Sequence, residues 1–172
     1  MDKKILRIFL RETERQCMFT IMAFQDLEKA LPSHDKDRIW YSIQSFLVSA
    51  GNVSKLLWPP NAKIPDRAEQ LRNSLGVNYN SPLEPRKFRN HFEHFDERLE
   101  GWAASSKRKN FVDANVYCSG GISGIEPEDY LRNFDTTNYA LTFRGDKYKL
   151  KPIIDEIMVL KRKSANEANK AP

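Results

Sequence analysis

Cysteine is scarce in this 172-residue chain. Cys17 and Cys118 allow at most one bridge, which excludes a disulfide framework and a four-thiolate zinc site. No apolar run approaches the roughly 20 residues needed to cross a bilayer, so no membrane span is expected. The first residues, MDKKILRIFLRETER, are charged almost from the start and lack a signal peptide's uninterrupted apolar stretch. That combination points to a cytoplasmic protein. Neither sign of charge dominates: 28 Lys and Arg face 23 Asp and Glu, and a net charge of +5 permits an anionic partner without requiring one. At 40% hydrophobic residues the chain is too apolar to be disordered. A chain of this length folds as one domain and hides roughly 70% of its unfolded surface.

Helical periodicity dominates the first hundred residues. Leu6, Leu10, Thr13, Cys17, Phe24, Leu27 and Leu31 form an amphipathic stripe over residues 2–31, with Asp2 as N-cap and Pro32 as the stop. A second stripe, Ile39, Ile43, Phe46, Ala50, Val53 and Leu57, steps by 4, 3, 4, 3 and 4 after Asp35 and ends at Trp58-Pro59-Pro60. The short connection around Pro32 predicts an antiparallel helical hairpin. A shorter helix is expected over 65–75, between Pro65 and Gly76. A fourth is expected over 81–104, opened by the capping box Ser81–Glu84 or, with Pro85 as its mark, somewhat later. Phe88, Phe92, Phe95, Leu99 and Trp102 are its core stripe.

The character changes at residue 106. Lys107, Arg108 and Lys109 form a basic loop suited to nucleic acid, and residues 111–117 read equally as strand or extended chain. A glycine-rich loop follows Cys118. Residues 139–143 and 147–150 flank Arg144-Gly145-Asp146 as a β-hairpin, and Pro152 opens a last helix to about residue 163, with Ile153, Ile157 and Leu160 on one face. The fold class is therefore mainly α: an up-and-down helical bundle over 1–163, with a loop-and-hairpin excursion over 106–150. The small, polar residues 164–172 are expected to be a disordered tail.

The chemistry-bearing residues concentrate on the fourth helix. On an unbroken helix turning about 100° per residue, His91 falls on the rim of the aromatic stripe. Arg89 and His94 flank the opposite face, with Asn90, Glu93, Glu97 and Arg86 between them. Such a face can simply be solvated and laced with i,i+4 pairs. It can also hold a metal through His91, His94 and Glu97, although no fourth ligand is evident. Cys118 among glycines is a further candidate, as a nucleophile needing a histidine brought to it by the fold. His34 reads as an exposed residue at a helix entrance.

Arg89-Asn90-His91-Phe92-Glu93-His94 resembles the R-x4-H motif of the HEPN superfamily, including the favoured polar residue after the arginine. Arg86 and His91 repeat the spacing with a poorer neighbour, Lys87. The resemblance covers residues 1–105 in architecture and six residues in motif. It implies a helical, HEPN-like bundle acting as a homodimeric, metal-independent endoribonuclease without a cofactor. Such proteins serve as toxins or defence components, some with a cognate antitoxin partner.

It also implies roles. His94 would act as general acid or base, because imidazole changes protonation near neutral pH. Arg89 would clamp the phosphate, and Asn90 would orient one or the other. Arg86, His91 and Glu93 are secondary candidates. Arg89 and His94 stand about 140° apart on an unbroken helix, so a two-fold dimer would have to assemble one cleft from two motifs. The alternative function is a non-catalytic helical module that binds a protein partner or nucleic acid.

Overall fold

The structure is a computed structural model that describes residues 2–85, 87–107, 109–117 and 124–170, with the backbone alone at 87–89 and 127. Among these residues there are six α-helices and one four-stranded sheet, and no helix is long and apolar enough to cross a membrane. Helix α1 (Lys3–Ala30) begins where Asp2 accepts a hydrogen bond from the Lys4 amide at 2.7 Å. Its inner face is the predicted stripe completed by small residues: Leu10, Thr13, Cys17, Thr20, Ala23, Phe24, Leu27 and Ala30 are all buried. A 3₁₀ turn, Leu31–Ser33, reverses the chain into α2 (Lys36–Leu57), capped by Asp35 through the Arg38 amide. Every residue of the predicted α2 stripe is buried. Two contacts that run in opposite order along the helices, Gln16 with Asn52 and Phe24 with Phe46, establish the antiparallel hairpin.

Helix α3 (Arg67–Leu75) closes one end of this pair. Gly76 ends it in the left-handed region at φ 56°, where a side chain would be strained. Arg67 and Arg72 donate to the carbonyls of Leu56 and Leu57, satisfying the last turn of α2 with positive charge where the helix dipole favours it.

The fourth helix takes the later of its two expected starts and departs from expectation in two ways. Ser81 caps a turn, accepting from the Leu83 amide, and the helix starts at Lys87, just past Pro85. It is also two helices, α4 (Lys87–Glu93) and α5 (Phe95–Ser105), meeting at His94, whose backbone is non-helical at φ −115° and ψ 43°. No Pro or Gly marks this break. The hydrogen bonds His94 N–H to Asn90 O and Arg98 N–H to His94 O persist on either side of it. The two halves are held by different partners, α4 by α2 and the sheet, α5 by the sheet and the loop beyond it. Consequently the aromatic stripe is not one core face: Trp102 is buried, Phe92 and Phe95 are half-buried, and Leu99 is exposed.

The region 106–150 is likewise more than an excursion. Strands β1 (Asn115–Tyr117), β2 (Arg132–Asp135), β3 (Ala140–Phe143) and β4 (Asp146–Lys149) form a sheet in chain order. β1 pairs with β2 in parallel and the rest are antiparallel, with Phe134 opposite Leu141 and Phe143 opposite Asp146. The β3–β4 hairpin is the predicted one. Its two-residue turn, Arg144 and Gly145, has both φ angles positive, the geometry that matches strand twist. Phe134, Leu141 and Leu150 enter the same core as the long helices, so the sheet completes the interior.

Helix α6 (Leu150–Lys170) corrects the predicted tail. It runs antiparallel to α1, with Lys151 beside Phe24 and Arg11 donating to Asn169. Ser164 and Ala168 are fully buried, because their small side chains let the helices approach closely. Residues 171–172 lie outside the described residues. Ala168→Leu is expected to cost about 1–3 kcal/mol by overpacking, read by urea denaturation; a disordered tail would register no change.

Candidate functional site

The residues singled out on the fourth helix separate into three environments. His91 faces inward. Its ring stacks on Phe143 with centroids 4.7 Å apart, and Nε2–H donates to Asp146 Oδ2 at 2.9 Å. A carboxylate only accepts, which assigns that tautomer, and Nδ1 has no partner among the described residues. Tyr148 packs edge-on to the same imidazole, its hydroxyl pushed up to about 12 by burial and then by Asp146. His91 thus pins α4 to the β3–β4 hairpin. His91→Ala is expected to lower stability by about 2–4 kcal/mol, from the lost charge-assisted bond and ring stack, as measured by chemical denaturation.

Glu93 faces sideways. It forms an ion pair with Lys55 near the end of α2, fixing the last turn of α4 against the long helices. Asn90 is exposed one turn earlier.

His94 faces outward. It occupies the N-cap position of α5, its side chain about half exposed, with Nδ1 3.3 Å from Glu97 Oε1. Glu97 is the third residue of α5, the position from which an acidic side chain reaches back to a helix entrance. With Nδ1 turned to that carboxylate, Nε2 is the imidazole atom left to solvent. This is the arrangement that orients a histidine for proton transfer at one defined nitrogen.

Arg89 lies in α4 by its backbone, and Arg86 and Arg108 lie outside the described residues. The angle of about 140° between Arg89 and His94 is that of an unbroken helix; His94 N–H still bonds Asn90 O, and the non-helical backbone at His94 redirects the residues after it. His91 bonds to Asp146 rather than sharing a face with His94 and Glu97, which removes the three-residue metal cluster. Among the described residues no group of three acidic, histidine or cysteine side chains is placed to hold a metal ion. Lys107 and Lys109 are exposed beyond the C-terminal end of α5, a helix whose rise carries its last residue about 16 Å from His94.

Cys118 lies outside the described residues. Cys17 is fully buried in α1 and its thiol is pushed up to about 12, chiefly by desolvation and then by Glu14 and Glu156, so it is no nucleophile at neutral pH. Asp135 closes the β2–β3 turn by accepting from Asn138 and Thr137. The Asn138 side chain leads in holding its carboxyl below the ordinary range, against an opposing contribution from burial.

Two residues of this region were not visible as site residues, and a third, Glu97, was seen on the polar face and as a possible metal ligand, not as the partner of His94 alone. Asp146 is 55 positions from His91 and has no local signature. Lys55 belongs to a helix whose exposed side gave no hint of α4. Glu97 could have been recognised, since it stands three residues after the helix entrance that His94 turns out to form. Comparison with protein-family models, curated proteins and solved structures finds no match to this chain.

Proposed function

We propose that the chain is a HEPN-type, metal-independent endoribonuclease that works as a homodimer in the cytoplasm, as a toxin or defence component held in check by a cognate antitoxin. The observation that carries this reading is His94: exposed at a helix junction, tethered through Nδ1 to Glu97, and five residues beyond Arg89 in the R-x4-H motif. RNA supplies its own nucleophile. In the proposed reaction His94 Nε2 takes the proton of a 2′-OH, the 2′-oxygen attacks the adjacent phosphorus, and the 5′-oxygen leaves with a proton from the partner's copy of the motif. Arg89 balances the charge on the phosphate oxygens, and Asn90 stands on the exposed side of α4 to orient the imidazole or the phosphate.

The junction leaves the need for a dimer in place. The break redirects the chain beyond His94, while the bond from His94 N–H to Asn90 O keeps His94 itself attached to α4. Two motifs facing each other across a two-fold axis meet that need without each helix presenting both residues on one side.

The direct test incubates purified protein with single-stranded RNA in excess chelator and analyses the ends. The expected products carry 2′,3′-cyclic phosphate and 5′-hydroxyl, and DNA of the same sequence stays intact. Cleavage that stops on chelation, or that cuts DNA equally, removes this mechanism.

A further inference from the structure

We infer that the outer face of α1 and α2 is a track for single-stranded RNA, with phosphates along the first half of α1 and bases in the groove beyond it. This deepens the nuclease reading by naming how substrate is held.

Lys4, Arg7, Arg11 and Arg15 recur every three or four residues, so they line one side of α1 about 4.5–6 Å apart. They border a groove that also takes in Ile8 and Leu56. Lys4 and Arg7 have no side-chain ion pair among the described residues. Arg15 pairs at 2.7 Å with Glu12, which also lines this groove, while Arg11 is held by Glu14 at 2.9 Å and by Asn169 of α6 at 2.6 Å. A surface pair such as Arg15–Glu12 contributes about 0–1 kcal/mol and yields readily to a phosphate. A regular row of cations on a straight helix suits a chain of evenly spaced anions.

A second groove of different character, sharing no lining residue with the first, begins at Gln16, the residue after Arg15, between α1 and α2. Phe19 is 44% exposed and Tyr41 is 67% exposed, and both line it. Gln16, Gln44 and Asn52 are there too, with Asn52 donating to Gln16 at 3.1 Å. Aromatic faces beside amide donors and acceptors match a base, which has a π-face to stack and an edge to hydrogen-bond. A lipid surface would favour an uninterrupted apolar strip, and the amides interrupt it. Val48 and Asn52 line both this groove and the next one, between α2 and α4, where Phe92 and Glu93 sit beside Lys55. The track therefore runs toward the end of α4 that leads into His94.

The test measures binding separately from cleavage. A fluorescent single-stranded 2′-O-methyl oligonucleotide lacks the nucleophile, and its anisotropy reports affinity on the intact protein across a salt series. Lys4→Ala combined with Arg7→Ala is expected to flatten the slope of log affinity against log salt by about 0.7 per cation removed. Tyr41→Ala and Phe19→Ala are each expected to weaken binding about tenfold with the slope unchanged. All are surface changes, and an unchanged melting temperature verifies folding. Failure of the wild type to bind, or binding that none of these variants alters, overturns the track. Binding to phosphatidylserine vesicles in place of the oligonucleotide also overturns it. Variants that lose binding in a protein that cleaves no RNA would uphold the track while rejecting the nuclease; cleavage with binding unaltered by the variants would do the reverse.

Discussion

His94→Ala is expected to abolish RNA cleavage while leaving the melting temperature nearly where it was. The loss of a general acid or base alone accounts for roughly 10²–10⁴-fold in rate. If the two copies of His94 in a dimer serve as acid and base, one substitution removes both, and the deficit reaches the upper end or beyond. Stability is spared because the side chain is about half exposed, forms no hydrogen bond that caps α5, and meets Glu97 at the surface. Arg89→Ala should show the same loss of cleavage, since a charge clamp on the phosphate is felt most when the phosphorane forms. Glu97→Gln gives a finer reading: the imidazole loses the negative charge beside Nδ1, so an intermediate rate is expected. Quantified product release from a labelled RNA, with a thermal melt for each variant, decides the matter. Wild-type cleavage by both the His94 and Arg89 variants would take these residues out of the mechanism.

The second large effect belongs to Phe143. It is fully buried in β3 and touches three aromatic side chains of the fourth-helix region: His91 stacked at 4.7 Å, Phe92 edge-on at 5.3 Å and Phe95 at 6.4 Å. Phe143→Ala is expected to cost about 3–5 kcal/mol, the range for deleting a buried phenyl ring and leaving a cavity. The damage should also be local in a telling way. α4 is held to the sheet by that stack and by the His91–Asp146 bond, so its amides should exchange with solvent faster than those of α1 and α2. Urea denaturation gives the energy and hydrogen exchange gives the location. A near-neutral variant would mean that α4 is held by Lys55 and Glu93 alone.

What could be read in advance followed the strength of the period. The α2 stripe from Ile39 to Leu57 alternates three and four without a gap, and all six residues are buried. The hairpin around Arg144 and Gly145 carried its own turn chemistry. The disagreements have one cause, tertiary contact overriding local pattern. Ser164 and Ala168 look like linker residues, yet smallness is what a close helix–helix approach requires. β2, with Arg132 and Asn133 before Phe134 and Asp135, has no clean alternation and becomes a strand only because β1 and β3 flank it.

For the candidate site, the motif itself stood out, and the side chains on which it depends did not. No rule of spacing could join His91 to Asp146 across 55 positions, or announce a break at His94 with no proline or glycine beside it. At that break an inward histidine, holding the fold, gives way to an outward one, free to act.

The placement of α1 between α2 and α6 has a consequence for how the molecule comes into being. An early helix leans on one made long after it. At roughly 5–20 residues per second, about ten to thirty seconds pass between synthesis of Leu10 and of Ala168. Throughout that interval the side of α1 destined for α6 lacks its cover. Completion of the α1 core is therefore gated by the ribosome's release of α6.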